Sequence, residues 1–300
     1  MTLHAIVAAL GGDLYSGGSR ASIPAPGHSA GDRSVSLLLS DGRVVIHGFG
    51  GADWRTARDH LRARGLIDDA GRLIPEGRGG ASAPRPDLRV RRETAARLWA
   101  AAVRLAAEDP AGRHLTHRAI RSGGSALNIG HHPQAPVSVY REGGRTRPAL
   151  LARISDAHDR LTAVEITYLD PNGRVASGLR LSRKTVGQVP AGAAVRLAHA
   201  AEQMVVAEGV ATTLSASDLH GLPGWALMAA NNLAAWSPPA IVRRVLIAAD
   251  RGAVGQGAAL RLQRRLVRKG LDVDIIWPEP PYGDWNEVAV AAGERREGGR

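Results

Sequence analysis

The sequence predicts a mixed α/β protein whose C-terminal part is a parallel sheet with helices on both faces. Two observations carry that expectation. From residue 204 onward, short continuous apolar runs alternate with helical stretches, the pattern of strands buried on both faces. Upstream, the stretch from 111 to about 200 is mostly strand-like and precedes this alternation as an α+β segment.

The elements follow in chain order. Residues 2–10 read as a short helix ended by Gly11 and Gly12. Ser34–Leu39 and Arg43–His47 are strand-like and flank Ser40-Asp41-Gly42, where the Asp-Gly pair signals a hairpin. Trp54–Arg64 is helical, with Trp54, Ala57 and Leu61 on one face and Gly65 as its stop. Together these make a small ββα module over residues 1–70. Residues 71–92 are rich in Gly, Pro and Arg without periodicity and read as a linker. Glu93–Glu108 is an Ala-rich helix stopped by Pro110 and opens the α+β segment, 93–203. Leu150–Ile154 and Ala163–Leu169 are strands, followed by the turn Asp170-Pro171-Asn172-Gly173.

The last domain covers 204–293. Its strands are Met204–Ala207, Trp225–Ala230, Val245–Ala249 and Val273–Trp277, and its helices Ala211–Leu219, Gly257–Lys269 and Trp285–Ala292. A short helical or irregular stretch precedes Pro238-Pro239, and 294–300 reads as a disordered tail.

Composition bounds the function classes. The 300 residues, 44% of them hydrophobic, suffice for two or three domains. Absence of cysteine excludes disulfides and thiolate metal sites. The first residues lack the basic and apolar regions of a signal peptide, and no stretch is apolar enough to span a membrane, so a cytoplasmic protein without a membrane partner is expected. The net charge of +11 favours a polyanionic partner, most simply nucleic acid. Solvated basic faces are the alternative, since nearly all the cations are arginines, as a GC-rich genome produces unselected; only Lys184 and Lys269 are lysines. No GxxxxGK[ST] loop, GxSxG elbow or HExxH helix is present, which argues against a P-loop motor, an elbow hydrolase and a zincin.

Acidic residues stand just past the predicted strand ends: Glu208 after the first, Asp250 after the third, Asp284 after the fourth. Ligands of open parallel sheets collect at that edge. Converging carboxylates there make a hard-oxygen site suited to Mg²⁺. Helix capping or solvated turns would account for each acid singly.

AEGVATTLSA (207–216), IAADRGAVGQGAA (247–259) and GDWNEV (283–288) resemble, in order and spacing, the Toprim domain of primase-like proteins from phages and plasmids. The resemblance implies a general acid/base role for Glu208 and Mg²⁺ or Mn²⁺ binding by Asp250 and Asp284, with Asn286 and Glu287 beside them. It departs from the family at Gly252, where the second acid of a DxD pair is expected, and at Ala211, where related proteins often carry a carboxylate. Glu287 is a candidate substitute ligand. The first module resembles the zinc ribbon of bacterial-type primases, with Ala25, His28, His47 and Gly50 at the ligand positions. Two donors fall short of tetrahedral zinc, so no zinc is expected, with Asp32 or Asp53 as conceivable additions. Phe49 and Trp54 are then expected to pack in the metal's place, or alternatively to stack on bases.

RPALLARISD and AVEITYLDPNGRV resemble the primase segment that precedes Toprim and lines a template groove. Arg180, Arg183 and Lys184, with Arg251, are candidate phosphate-backbone contacts, against ordinary surface charge. His131-His132 is a candidate for metal or phosphate, for which a polar loop is the competing account. The resemblance implies a primase-like nucleotidyltransferase of a mobile element, acting on single-stranded DNA and nucleotides beside a separate replicative helicase. A non-catalytic nucleic-acid-binding accessory protein on the same scaffold stays open because of Gly252.

Overall fold

A computed structural model describes residues 3–29, 31–49, 52–74, 87–140, 143–179 and 181–297. The chain forms two compact units, Met1–Arg85 and Pro86–Arg300.

The first unit holds helix α1 (His4–Leu10), strands β1 (Asp13–Tyr15), β2 (Arg20–Ile23), β3 (Val35–Ser40) and β4 (Arg43–Gly48), and helix α2 (Trp54–Ala63). The strands form an antiparallel sheet in the order β1-β2-β3-β4. The expected hairpin is β3–β4, and its turn residues Asp41 and Gly42 have φ of 51° and 77°, the left-handed pair that a tight two-residue turn demands. Asp53 caps α2 by accepting from the Arg55 and Thr56 amides. Leu3, Ile6, Ile23, Val35, Leu37, Leu61, Ile67 and Leu73 build the core, so this module continues past residue 70.

Phe49 and Trp54 do not fill that core. They are 53% and 42% exposed. Strand alternation is the reason: Val44 and Ile46 of β4 face inward, while Val45 and His47 point outward on the same side as Phe49. Trp54 opens α2 outside the buried Ala57–Leu61 stripe, and the Arg55 and Arg58 guanidinium groups lie 4.9 and 5.3 Å from its ring centroid.

The second unit begins with α3 (Leu88–Ala100) and α4 (Pro110–His117), then β5 (Ile129–Pro136), β6 (Thr146–Ser155), β7 (Leu161–Tyr168) and β8 (Arg183–Gly187). These strands form an antiparallel sheet in sequence order. α3 starts inside the expected linker because Asp87 caps it, its carboxylate accepting from the Arg89 amide. Pro110, expected to end a helix, instead opens α4 at its first turn, where a missing N–H costs nothing. His131 and His132 sit buried on β5 rather than in a polar loop.

Period-2 alternation splits this sheet between two cores. Leu151, Val164, Ile166, Tyr168 and Val186 face Ala95 and Leu98 of α3. Leu150, Ala152, Ile154 and Ala163 face the other way, onto Ala111 and Leu115 of α4 and onto Val210, Leu214 and Ala226 of the following domain. That shared core makes one compact body of residues 86–300.

The remaining elements are β9 (Val195–Arg196), β10 (Gln203–Ala207), α5 (Val210–His220), β11 (Gly224–Ala226), α6 (Ala230–Ala235), β12 (Arg244–Ala248), α7 (Ala253–Val267), β13 (Asp272–Ile276) and α8 (Trp285–Glu297). The sheet order is β13-β12-β10-β11-β9, parallel except for the antiparallel edge strand β9. Met204, Val206, Val245 and Ile247 pack on α7 through Ala258, Leu262 and Leu266. Val205, Ala207 and Ala248 pack on the opposite face with Ala216 of α5 and Trp285 of α8. This is the expected doubly covered sheet. α8 continues through Glu297, into the segment expected as a tail. No helix among the described residues is long and apolar enough to cross a membrane.

Candidate functional site

Chain order reverses between β10 and β12: α5 leads from β10 to its neighbour on one side, and the chain returns to pair β12 on the other. Strand ends at such a switch point leave a crevice. Glu208 follows β10 and Asp250 follows β12, so the two strands flanking the crevice each deliver a carboxylate. Asp284 and Glu287 arrive from the start of α8. Hydrogen bonds tie these loops together: the Arg251 amide donates to the Gly283 carbonyl at 2.7 Å, and Arg251 Nε donates to the Pro278 carbonyl at 2.6 Å.

The carboxylates feel one another. Asp250 is pushed up to about 7, first by burial, then by the negative charges of Asp284 and Glu208 and, more weakly, of Glu287; a hydrogen bond from Thr212 of α5 opposes this. Its Oδ1 is buried without a hydrogen-bond partner. Burial also raises Glu208, against a hydrogen bond from the Ala230 amide. One oxygen each of Asp284 and Glu287 serves the helix end: Asp284 Oδ1 accepts from the Glu287 amide at 2.9 Å, and Glu287 Oε2 from the Gly283 amide at 2.6 Å.

Among the described residues, no three His, Asp or Glu side chains stand together as ready-made metal donors. The orphaned Asp250 oxygen and the mutual repulsion around it fit a divalent cation held by few carboxylates, with water and phosphate supplying the other oxygens. Gly252 begins α7 at φ +152°, a backbone that residues with a Cβ rarely adopt, and no atom lies within 4 Å of where its Cβ would stand. The second acid of the expected pair is thus missing for want of a side chain, not of space.

Near Asp284 lies a set of which the sequence announces only Arg183. β7 presents Glu165 and Thr167 on the α4 side, and the β7–β8 register sets Arg183 opposite Thr167. With His114 and Arg118 of α4 and Val210 and Ala211 of α5, they line one pocket. Burial holds Arg118 below the usual guanidinium range, as does neighbouring Arg183, while Asp284 opposes them. Burial raises Glu165, with Arg183 opposing. His114 falls to about 4 through burial, its Nδ1 meeting the Gly173 carbonyl at 2.9 Å. The Arg118 guanidinium therefore stands within electrostatic reach of both Asp284 and Arg183.

The other expected contacts separate. Lys184, one residue along β8, turns to the α3 side, donating to the Val137 carbonyl at 2.6 Å with its ammonium 5.0 Å from the Tyr168 ring centroid. Arg251 is exposed beside Asp250, its Nε committed to Pro278. Arg180 lies outside the described residues, as does Gly50 of the ribbon-like module. In that module His28 pairs with Asp32 at 3.1 Å, and the His47 ring meets Phe49 edge to face at 4.5 Å. Asp32 falls to about 2 because it accepts from Ser34 and from the Ala25 amide, while Asp53 caps α2. Both acids thus serve the local backbone.

Comparison with known proteins places names beside this geometry. Residues 203–295 match the Toprim domain, and residues 89–197 match a domain of unknown function, DUF7146. No curated protein matches the chain. Among solved structures, it is similar to the primase fragment of the bacteriophage T7 primase-helicase protein, at 14% identity and a TM-score of 0.40 over 92% of this chain and 96% of that one. It is also similar to the Aquifex aeolicus primase zinc-binding and RNA polymerase domains, at 13% identity and a TM-score of 0.42 over 98% and 81%. A DnaG primase catalytic domain bound to ssDNA aligns at 12% identity and a TM-score of 0.45 over 70% and 79%. The residues that position Glu208, Asp250 and Asp284 form a Toprim domain, which the chain carries over residues 203–295.

Proposed function

We propose that this protein is a primase-like nucleotidyltransferase that extends a nucleic-acid strand on a single-stranded DNA template. One observation carries the reading. Asp250, partly buried with an unpaired oxygen, is pressed by Asp284, Glu208 and Glu287 at the crevice of a Toprim sheet. Such a site is short of positive charge. Mg²⁺ or Mn²⁺ would be held by Asp250 and Asp284, with Glu287 near by, and would supply neutralisation of phosphate charge.

The chain's own residues supply the rest. Glu208, its carboxylate raised by burial, accepts the proton of the attacking hydroxyl. That oxygen bonds the α-phosphorus of a nucleoside triphosphate while the bond to diphosphate breaks, its electron pair leaving with diphosphate. Arg118 and Arg183 orient the phosphates from the opposite wall. A proton relay of this kind is worth roughly 10²–10⁴-fold.

A second reading is a nucleic-acid-binding accessory protein on the same scaffold. Gly252, in place of the second acid of the pair, favours it. Nucleotide incorporation on single-stranded DNA with Mg²⁺ or Mn²⁺ separates the two. The catalytic reading expects metal-dependent incorporation that Glu208→Gln and Asp250→Asn each reduce at least about 100-fold. Incorporation unaffected by either change, or absent beside metal-independent DNA binding, sinks it.

A further inference from the structure

Helix α7 starts three residues after Asp250 and runs for 15 residues, about 22 Å, away from the carboxylate edge. Its inner face is committed: Ala258, Ala259, Leu262 and Leu266 are buried on the sheet, and Gln263 donates to the Val273 carbonyl. Arg265 is also occupied, donating to the Ala234 and Trp236 carbonyls and to Ser237. The outer face differs. Arg261 and Arg264 are exposed there, Arg268 at the C-cap and Lys269 just beyond it are exposed as well, and none pairs with a carboxylate among the described residues.

Elsewhere many arginines find an acid: Arg33 with Asp13, Arg153 with Asp159, Arg160 with Asp156, Arg244 with Asp274. On α7, like charges instead stand three or four residues apart, as in Arg261–Arg264 and Arg264–Arg268. Such like-charge spacing disfavours an isolated helix. The helix dipole offsets part of that cost in the last turn only, leaving Arg261 without compensation. A row of like charges with no paired carboxylate among the described residues is complementary to an external polyanion.

We propose that the outer face of α7 holds the phosphate backbone of a nucleic-acid strand leading to or from the carboxylate edge. The direction of that strand rests on the functional reading above; the binding face does not. Arg261, Arg264 and Arg268 form the track over about 10 Å of helix axis. Contacts of this type are independent of sequence and weaken steeply with salt.

Fluorescence anisotropy of the full chain with a labelled single-stranded oligonucleotide, metal-free and across a salt series, tests this. Replacing the three arginines together (Arg261→Gln, Arg264→Gln, Arg268→Gln) removes three phosphate contacts at a slope of about 0.7 each. The salt slope is expected to fall by about 2 and affinity at 0.1 M salt by about 100-fold. The same three positions changed to lysine keep binding. Glutamine variant and wild type with equal slope and affinity overturn the proposal. So does binding of wild type to vesicles rich in anionic lipid with none to DNA. An α7-dependent affinity in a protein that incorporates no nucleotide defeats the catalytic reading and leaves this one standing.

Discussion

Arg118 and Asn286, 168 residues apart, hold each other by a reciprocal pair of hydrogen bonds: Arg118 Nη1 donates to Asn286 Oδ1 at 2.8 Å, and Asn286 Nδ2 donates to the Arg118 carbonyl at 2.8 Å. Asn286 is buried, and its amide also reaches Ser215 Oγ of α5 at 3.0 Å. One side chain therefore fixes the end of α4, the middle of α5 and the start of α8. The helix that it fixes carries Asp284 and Glu287, so the cationic wall and the carboxylate edge share one bracket.

Removing that bracket should be felt in both stability and phosphate binding. Asn286→Ala leaves a half-buried guanidinium and a carbonyl short of partners, a loss of about 1–3 kcal/mol. Thermal unfolding of the variant should start several degrees lower, and its affinity for a nucleoside triphosphate should fall as Arg118 loses its position. An unchanged melting curve would show that the bracket bears no strain.

The pH dependence has a definite sign. Asp250 titrates near 7 when folded against 3.8 when unfolded, so the folded state binds the proton more tightly. Its contribution to stability is complete below pH 3.8 and lost as pH rises through about 7. Asp250→Asn should therefore stabilise the metal-free protein at pH 8, by about 1–3 kcal/mol, and have little effect at pH 4. Urea unfolding at the two pH values checks this, and equal effects at both would remove the basis for a strained carboxylate edge.

Gly252 invites the opposite change. Gly252→Asp returns a carboxylate to a position with open space, at a backbone φ of +152° that costs about 1–3 kcal/mol for a residue with a Cβ. Tighter Mn²⁺ binding together with a lower melting temperature is expected. Weaker or equal metal affinity would show that position 252 does not face the site.

In the first module, exposed and buried apolar residues should separate cleanly. Phe49→Ala and Trp54→Ala should each cost under about 1 kcal/mol, whereas Leu37→Ala, at a fully buried position, should cost about 2–5 kcal/mol. Denaturant unfolding measures both. A large loss from Phe49→Ala would return that ring to the core.

These residues also mark what was legible in the sequence. β10 and β12 announce themselves as apolar runs because each is buried on both faces, and the acids that follow them are placed by strand ends alone, whereas the edge strand β13 shows only as the Val273, Ile275 and Ile276 that follow exposed Asp272 and Asp274. β1 and β2 are short and carry too few apolar residues for a period to emerge. Pro110 reads equally as a stop and as a first turn, and only tertiary packing of Ala111 and Leu115 selects the second. Phe49 and Trp54 are misjudged because aromatic identity says nothing about which way a strand or helix faces. Arg118, Glu165 and Arg183 meet through the fold of the sheet between α4 and α5, a juxtaposition without any local signature.

We propose that Asp250 and its acidic neighbours at the Toprim crevice hold a divalent ion with a nucleotide. Calorimetric titration of the full chain with Mn²⁺, with and without a nucleoside triphosphate, tests it most directly. The account predicts saturable binding that the nucleotide strengthens and that Asp250→Asn weakens at least about tenfold, or 1.4 kcal/mol. Wild-type and Asp250→Asn isotherms that coincide, with or without nucleotide, would contradict it.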